Sequence, residues 1–304
     1  MAQRDPVGMI GLGIMGSAMS ANLLRAGFPV VGHDIHAASR KEFSRSGGRF
    51  VRSTPDVAKS ASIIITSLPS AAALIDVSEA IGAVGTRDQI VIETSTLPIP
   101  VKEQARATLA AHGVTLLDCP LSGTGAQAKA KDLAVYASGS RSAYRRTIPV
   151  LEGFARAHYF LGPFGAGSKM KFIANLLVAI HNVAAAEAIV LGIKAGLDPA
   201  LVVEVVGDGA GASRMFQLRG PMMARGDYSE ATMKVAIWQK DMQIISEFAR
   251  ELACPTPLFA LTSAVYNAAM AQGHANDDTA AVCAVLESWA KTGRNLASRR
   301  ARER

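Results

Sequence analysis

A glycine-rich loop near the start of the 304-residue chain constrains its fold more than any other feature. The loop reads Gly11-Leu12-Gly13-Ile14-Met15-Gly16; it follows a short apolar run and opens a stretch with helical periodicity. Between a strand and a helix, the first glycine permits a tight turn, the second lets backbone N–H groups approach a pyrophosphate, and the third lets helix and strand pack closely. The pattern predicts a dinucleotide-binding βαβ unit, with a glycine turn that binds no ligand as the alternative.

Short β-branched runs alternate with helix-length segments in the first half of the chain, whereas helical patterns alone follow residue 165. This predicts an α/β Rossmann domain, with a doubly wound, mainly parallel sheet, over residues 1–164. An all-helical domain over residues 165–304 is expected to follow and to begin with a long interdomain helix, 166–195. The predicted strands are 7–10, 29–32, 63–66, 90–93, 115–118 and 134–138. The predicted helices of the second domain are 166–195, 199–206, 213–220, 231–252, 257–273 and 277–292.

Composition and charge limit the class of protein. Hydrophobic residues make up 49% and charged residues 19% of the chain, which excludes a mainly disordered protein. Much of the net charge of +7 lies in residues 294–304. We predict a solvated arm there and no nucleic-acid partner, because no basic stripe interleaved with aromatic residues accompanies it.

The cysteine and apolar patterns suggest a cellular location. The three cysteines are widely spaced and form no CxxC pair, which argues against a disulfide framework and a zinc site and fits a reducing cytoplasm. No histidine pair has metal-ligand spacing, so no metal is expected. Polar residues interrupt the apolar stretch 172–193, so it is predicted to be a buried helix and not a membrane span.

Asp34 follows the second predicted strand and bears on cofactor choice. It stands 21 residues beyond Gly13 (34 − 13), the distance expected for the acid that binds the adenosine ribose. A carboxylate there repels a 2′-phosphate, so NAD is predicted over NADP. Arg40 keeps the alternative open, because its guanidinium is close enough in sequence to reach a 2′-phosphate.

Two further segments carry residues suited to chemistry. The segment Asp118-Cys119-Pro120-Leu121-Ser122-Gly123-Thr124-Gly125 follows a predicted strand at the carboxyl end of the sheet. Its small and hydroxyl residues suit a carboxylate site or an ordinary structural turn. In the segment 165–175, Lys171 and Asn175 are four residues apart and share one helix face. Such a lysine is either a surface side chain with a buried stem or a catalytic group.

Together these motifs resemble the β-hydroxyacid dehydrogenase family, which includes 3-hydroxyisobutyrate, tartronate semialdehyde and L-threonate dehydrogenases and has a 6-phosphogluconate dehydrogenase-like NAD-binding domain. The family's GLGxMG loop is matched by residues 11–16, its DxPxSGG-like segment by 118–124, its GxGxxxKxxxN segment by 165–175 and its late KD pair by Lys240-Asp241. The resemblance covers nearly the whole chain. It implies hydride transfer between NAD(H) and the alcohol or carbonyl of a small hydroxyacid of C3–C5.

The resemblance also implies roles for individual residues. Lys171 is implied to be the general acid/base, and Asn175 its orienting and substrate-binding partner. The residues implied to bind or line the substrate are Ser122, Gly123, Thr124, Met233 and Asp241. The residues predicted or implied to bind the cofactor are Gly11, Leu12, Gly13, Ile14, Met15, Gly16, Asp34, Leu68, Pro69, Thr96 and Lys240. Thr124 and Met233 replace a glycine and a frequent phenylalanine of the family, so we expect them to alter substrate fit.

The sequence also bears on the substrate, on alternative functions and on the oligomeric state. Segments 213–216 and 226–228, together with Arg219 and Pro221, are similar to the branch that oxidises four-carbon sugar acids such as L-threonate. The alternatives are an imine reductase-like enzyme, whose relatives generally replace the lysine, and a catalytically silent dinucleotide-binding scaffold. We expect a cytoplasmic homodimer or homotetramer with no membrane partner, because the Ala/Gly-rich helices have more apolar face than their own domain covers. Light scattering measures the mass of the protein in solution and so tests the predicted oligomeric state.

Overall fold

Residues 4–292 are described by a computed structural model, and the contacts divide the chain into two units. The first unit comprises residues 1–171 and the second residues 172–304. The division between units therefore falls inside the predicted interdomain helix, later in the chain than the predicted boundary after residue 164. The predicted arm 294–304 lies outside the described residues.

A parallel sheet in the first unit confirms the predicted Rossmann fold. Within residues 4–292, strands lie at β1 (Val7–Ile10), β2 (Val30–His33), β3 (Arg49–Phe50), β4 (Ile63–Thr66), β5 (Ile90–Glu93), β6 (Thr115–Asp118), β7 (Leu121–Ser122), β8 (Ala134–Ala137) and β9 (Ala157–Phe160). Six of these described strands form one sheet in the order β3-β2-β1-β4-β5-β6, with all neighbours parallel. In this doubly wound order, ligands bind beyond the carboxyl ends of the strands, where the order reverses between β1 and β4.

The strand at residues 134–138 exists as predicted but lies outside the parallel sheet. β8 instead pairs antiparallel with β7 and parallel with β9 in a separate three-stranded sheet of the described chain. The 11 residues between β7 and β8 (123–133) join two antiparallel strands, which need no long crossover. The parallel sheet gains β3 instead, a short strand beside β2 that the sequence does not predict.

Helices account for most of the remaining described residues. They are α1 (Ile14–Arg25), α2 (Ala37–Arg45), α3 (Thr54–Ala58), α4 (Ala71–Gly82), α5 (Ile99–Ala110), α6 (Gly125–Lys129), α7 (Arg141–Phe154), α8 (Ala166–Lys194), α9 (Pro199–Asp208), α10 (Arg214–Arg225), α11 (Val235–Glu251), α12 (Pro257–Ala271), a 3-10 turn (Thr279–Ala281) and α13 (Val282–Trp289). Within residues 165–292 no strand occurs, in agreement with the predicted all-helical half.

Each face of the parallel sheet has its own apolar core, because successive side chains of a strand point to opposite faces. One core contains Met9 and Ile65 together with side chains of α1 and α7. The other contains Ile64 and Val91 together with side chains of α3, α4 and α5. Both faces are covered, which explains why the strands read as nearly continuous apolar runs. This arrangement leaves the carboxyl edge of the sheet to carry polar loops.

The long helix α8 meets the length and composition criteria for a membrane span. Its most apolar 18-residue window has a mean hydropathy of 2.0, and 44% of that window is buried within the described structure. The core helix of a soluble protein meets the same criteria. Asn182 of α8 is fully buried and donates to the Tyr266 hydroxyl and the Thr279 carbonyl. The buried-helix interpretation stays a prediction.

Candidate functional site

The carboxyl edge of the parallel sheet carries the segments that the sequence predicts to bind the cofactor. Residues 11–16 follow β1, Asp34 follows β2, Leu68 and Pro69 follow β4, and Thr96 follows β5. Because the strands are parallel, these segments meet at one edge. Neighbouring loops are also bonded directly, since the Leu68 N–H donates to the Ser95 hydroxyl at 2.8 Å.

The glycine loop exposes the N-terminus of α1. Gly13 is the N-cap and provides no side chain, and Ile14 after it is 63% exposed. Gly11 has a φ of +90°, and a Cβ there would meet the Ser67 carbonyl oxygen. A Cβ at Gly16 would meet the carbonyl oxygen of Gly11, whereas one at Gly13 would face open space. Uncapped N–H groups at a helix start bind phosphate, so the loop fits a dinucleotide.

Asp34 lies beside this loop and is nearly buried, with 8% of its surface exposed. Its Oδ2 accepts the Leu12 N–H at 2.6 Å, and its Oδ1 accepts the His36 N–H at 2.7 Å. Each carboxylate oxygen retains a second lone pair, so ribose hydroxyls can still donate to it. The guanidinium of Arg40 lies over the Phe50 ring, 5.4 Å from its centroid. This segment therefore carries an acid that is able to accept ribose hydroxyls and, six residues later, a cation.

The predicted carboxylate-binding loop follows β6. Ser122 ends β7, and Gly123 has a φ of +138°. Thr124 is the N-cap of α6: its hydroxyl accepts the Gln127 N–H, and its own N–H donates to Gln127 Oε1 at 3.0 Å. This capping box engages the backbone donor of Thr124, so Ser122 and Gly123 are the better placed donors for a carboxylate.

A buried charge cluster that the sequence analysis does not predict lies at the ends of β5 and β6. Lys102 of α5 is fully buried, and its Nζ lies 2.6 Å from Glu93 Oε2 and 2.9 Å from Asp118 Oδ1. Burial lowers the pKa of Lys102, but the charges and hydrogen bonds of Asp118 and Glu93 together raise it by more, so the net shift of this pKa is upward. The side chain therefore stays an ammonium. Lys102, Glu93 and Asp118 are called the Lys102 cluster below.

Asp118 connects the Lys102 cluster to the first turn of α8. Its Oδ2 accepts the Ser168 N–H and its Oδ1 accepts the Ser168 hydroxyl, both at 2.8 Å. The Ser138 hydroxyl donates to Asp118 Oδ2 at 3.1 Å and accepts the Gly167 N–H at 2.9 Å. A carboxylate here also stabilises the positive end of the helix dipole. Lys171, which is half-buried, follows one turn later on the helix so anchored.

In the second unit, the predicted residues Asn175 and Asp241 bind each other. Both side chains are buried, and Asn175 Nδ2 donates to Asp241 Oδ2 at 2.8 Å. Lys240 Nζ lies 3.5 Å from Asp241 Oδ1. The acid thus orients the amide of Asn175, which follows Lys171 by four residues along α8. The catalytic and substrate roles of these residues stay predictions.

A second buried ion pair holds the segment that contains Met233. Arg219 Nε donates to Asp278 Oδ1 at 2.8 Å, and the two side chains are 4% and 0% exposed. Asp278 Oδ2 accepts the N–H groups of Thr232, at 2.8 Å, and Met233, at 3.1 Å. Burial raises the pKa of Asp278, but the charge of Arg219 and the Ala280 N–H lower it, and the net shift is downward. The half-buried Met233 is therefore presented by a rigid segment.

The sequence contains one signal for the first of these clusters. Glu93 and Asp118 end apolar strands of a sheet covered on both faces, so each carboxylate needs donors or a cation nearby. The signal does not identify Lys102 as that cation, because Lys102 belongs to a helix whose buried face is known only from the fold. Arg219 stands among the residues similar to the sugar-acid branch of the family, but no sequence signal points to Asp278 as its partner.

Comparison with known proteins identifies the family. Residues 6–162 match the NAD binding domain of 6-phosphogluconate dehydrogenase, and residues 165–286 match the NAD-binding domain of NADP-dependent 3-hydroxyisobutyrate dehydrogenase. An L-threonate dehydrogenase of Cupriavidus necator is 34% identical over 92% of this chain and 95% of its own length. The chain belongs to the β-hydroxyacid dehydrogenase family. A solved 3-hydroxyisobutyrate dehydrogenase of this family, from Salmonella typhimurium, superimposes with a TM-score of 0.84 at 30% identity and covers 93% of this chain and 100% of that one.

Membership of the β-hydroxyacid dehydrogenases confirms the predicted family, fold and enzyme class. The mitochondrial 3-hydroxyisobutyrate dehydrogenase of Mus musculus is 27% identical over 93% of this chain and 87% of its own length. The protein is therefore an NAD(P)-dependent hydroxyacid dehydrogenase, with a nicotinamide dinucleotide as its cofactor.

Proposed function

We propose that this dehydrogenase uses NAD to oxidise a hydroxyacid of C3–C5, and that its preferred substrate is a four-carbon sugar acid of the L-threonate type. One observation carries the proposal: Asp118, at the carboxyl edge of the parallel sheet, binds the first turn of α8. Lys171 follows Ser168 by about one turn of this helix, which supports its proposed role at the edge that carries the glycine loop. The 34% identity to an L-threonate dehydrogenase supports the substrate class.

Lys171 handles the proton of the reaction. Bound NAD supplies the acceptor for the hydride that leaves the hydroxyl-bearing carbon. As a neutral amine, Lys171 takes the hydroxyl proton while the C–O bond becomes a carbonyl, and as an ammonium it returns the proton in the reverse direction. Asn175, whose amide Asp241 orients, is the proposed orienting and substrate-binding partner of Lys171.

The substrate carboxylate is bound by the loop after β6. The Ser122 hydroxyl and the Gly123 N–H donate to its oxygens, because the N–H of Thr124 is engaged by Gln127. Charge-assisted bonds of this kind are short and directional, so they orient the hydroxyl-bearing carbon as well as bind the acid. Thr124 and Met233 adjust the fit of the remaining carbon chain.

A substrate panel tests this function. The purified protein is incubated with C3–C5 hydroxyacids, including L-threonate, L-serine, glycerate and 3-hydroxyisobutyrate, and the reduced cofactor is followed by absorbance with NAD and NADP in parallel. We expect the highest kcat/KM with NAD and a four-carbon sugar acid. A thermal shift with NAD but no turnover of any hydroxyacid would contradict the proposal.

The choice of NAD over NADP is tested at Asp34. Removing a hydrogen bond to a charged group costs about 1.5–3 kcal/mol, so Asp34→Ala is expected to lower kcat/KM for NAD by roughly 10–100-fold. The measured quantity is the ratio of kcat/KM values for the two cofactors, because damage to the Leu12 and His36 contacts affects both alike. Arg40→Ala is the matched variant. A wild-type ratio that favours NADP, together with a larger NADP loss in Arg40→Ala, would assign the pocket to the phosphorylated cofactor.

A further inference from the structure

We propose that Lys102 is a positioning residue for hydride transfer, because the Lys102 cluster sets the rotation of the first turn of α8 and thereby the direction of the Lys171 side chain. The inference rests on the proposed function insofar as Lys171 is the general acid/base. Lys102 itself is fully buried and so touches neither substrate nor cofactor. Its effect must pass through Asp118 and Ser168.

The contact between Asp118 and Ser168 determines more than where α8 begins. A bond to the backbone N–H alone would cap the helix, but the second bond, from the Ser168 hydroxyl, restricts rotation of the helix about its axis. Ser168 is 1% exposed, so water does not compete for either bond. Lys171 comes three residues later, about 60° from Ser168 around the axis. Fixing Ser168 therefore fixes the direction in which Lys171 leaves the helix.

Lys102 keeps the Asp118 carboxylate able to accept both bonds. Its Nζ lies within 2.9 Å of oxygens from both Glu93 and Asp118. Without the ammonium, two buried carboxylates would face each other, and like charges so close cannot both stay ionised. One would take up a proton and share it with the other, which would draw Asp118 Oδ1 toward Glu93 and away from the Ser168 hydroxyl.

An apolar residue at position 102 would fill the same space, so packing alone does not account for a charge there. Buried ion pairs are weak evidence for stability, because well-packed apolar residues often do as well. What an apolar side chain lacks is the charge that keeps two neighbouring carboxylates ionised. The geometry therefore indicates that Lys102 keeps Asp118 ionised, and that Asp118 in turn fixes the rotation of the first turn of α8.

The decisive variant is Lys102→Met, which keeps most of the stem and removes the ammonium. Misplacement of a reacting group by about 1 Å costs about 10²-fold in rate, so kcat is expected to fall by about that factor while the Kd for NAD is unchanged. The control is Leu109→Ala, a fully buried apolar position on the same helix. If Lys102→Met has a kcat within threefold of this control, the proposal is wrong.

A double variant separates positioning from packing. In Lys102→Met/Glu93→Gln a single carboxylate remains, Asp118 keeps its Ser168 and Ser138 donors, and glutamine can still accept the Ser95 N–H. The kcat is therefore expected to recover at least about tenfold relative to Lys102→Met. A role in packing alone predicts no recovery, because Glu93→Gln restores none of the packing lost at position 102. A double variant no more active than Lys102→Met would overturn the inference.

Ser168→Ala tests the same proposal independently and serves if Lys102→Met does not fold. It removes only the hydroxyl bond to Asp118, and alanine is the better helix former. The loss of one buried bond is expected to lower kcat by about tenfold without changing the Kd for NAD. An unchanged kcat in Ser168→Ala would also contradict the proposal.

Hydrogen exchange distinguishes a failure of this inference from a failure of the proposed function. In the protein without substrate, the amides of Gly167 and Ser168 donate to Ser138 and Asp118, so Lys102→Met is expected to speed their exchange by about tenfold and Leu109→Ala is not. If the wild-type protein oxidises no hydroxyacid but Lys102→Met still exchanges these amides faster, the proposed function is refuted and the effect of Lys102 on α8 is kept. An active wild type whose Lys102→Met variant shows neither faster exchange nor lower kcat refutes the positioning role alone.

Discussion

Replacing Lys171 by alanine is expected to lower kcat by about 10²–10⁴-fold, the usual contribution of a general acid or base. The affinity for NAD is expected to survive, because the groups proposed to bind the pyrophosphate and the ribose, the backbone N–H groups at the start of α1 and Asp34, are left unchanged. Steady-state turnover with the best hydroxyacid of the panel and a separate fluorescence titration with NADH measure the two quantities. A loss confined to kcat identifies a group that acts on the reaction and not on cofactor binding.

Lys169→Ala is the matched control for this variant. Lys169 is exposed and lies two residues earlier on α8, so it leaves the helix about 200° away from Lys171. Its removal takes away the same charge from the same helix turn but from the other side, and kcat is expected to change little. Near wild-type turnover in Lys171→Ala, or equal losses in the two variants, would remove Lys171 from the proposed mechanism.

The strands that the sequence predicts best are those buried on both faces. The predicted bounds of β1, β4, β5 and β6 are those observed, because β-branched runs of this kind occur where helices cover both sides of a sheet. The predicted second strand is shifted by one residue, since it begins at Pro29, which has no N–H to donate to a neighbouring strand. Among the strands that are not predicted, β3 and β7 have two residues each, too few to show a period, whereas β9 has four.

Helix bounds fail where a distant side chain decides them. The predicted helix 231–252 begins at Val235, because Asp278 takes the N–H groups of Thr232 and Met233 and holds the preceding segment out of the helix. The predicted helix 213–220 ends before Pro221, a usual helix breaker, yet α10 continues to Arg225 and ends at Gly226 with a φ of +68°. The start of α11 depends on a residue far away in sequence and has no local signature, whereas Gly226 is a local stop signal for α10.

The residues of the candidate site also differ in how well the sequence predicts them. Motif spacing is enough to select the glycine loop, Asp34 and Lys171, because each has a defined distance from a strand or helix start. Lys102 is not selected, because only the fold shows that its helix directs it between the ends of β5 and β6. Sequence therefore points to candidate ligand-binding groups more readily than to the buried charged groups beside them.

Asp278→Asn is expected to lower the free energy of unfolding of the second unit by about 3–5 kcal/mol, the usual cost of breaking a buried ion pair. The substitution leaves the Arg219 guanidinium buried without its counter-charge and puts an amide among the N–H donors of Thr232, Met233 and Ala280. Both tryptophans, Trp238 and Trp289, belong to the second unit, so urea unfolding followed by tryptophan fluorescence reports on it.

Asp277→Asn is the matched control, because this neighbouring acid is 34% exposed and pairs with His274 at the surface. Surface pairs contribute about 0–1 kcal/mol, so a loss in Asp278→Asn no larger than in this control would show that the buried pair does not stabilise the unit. Acid unfolding gives an independent check. A carboxyl whose pKa is lowered by folding stabilises the protein above its unfolded pKa of about 3.9, and this stability is lost as the pH falls through the folded pKa. Wild-type stability is therefore expected to decline below about pH 4 by an amount that Asp278→Asn, already lacking the charge, does not show.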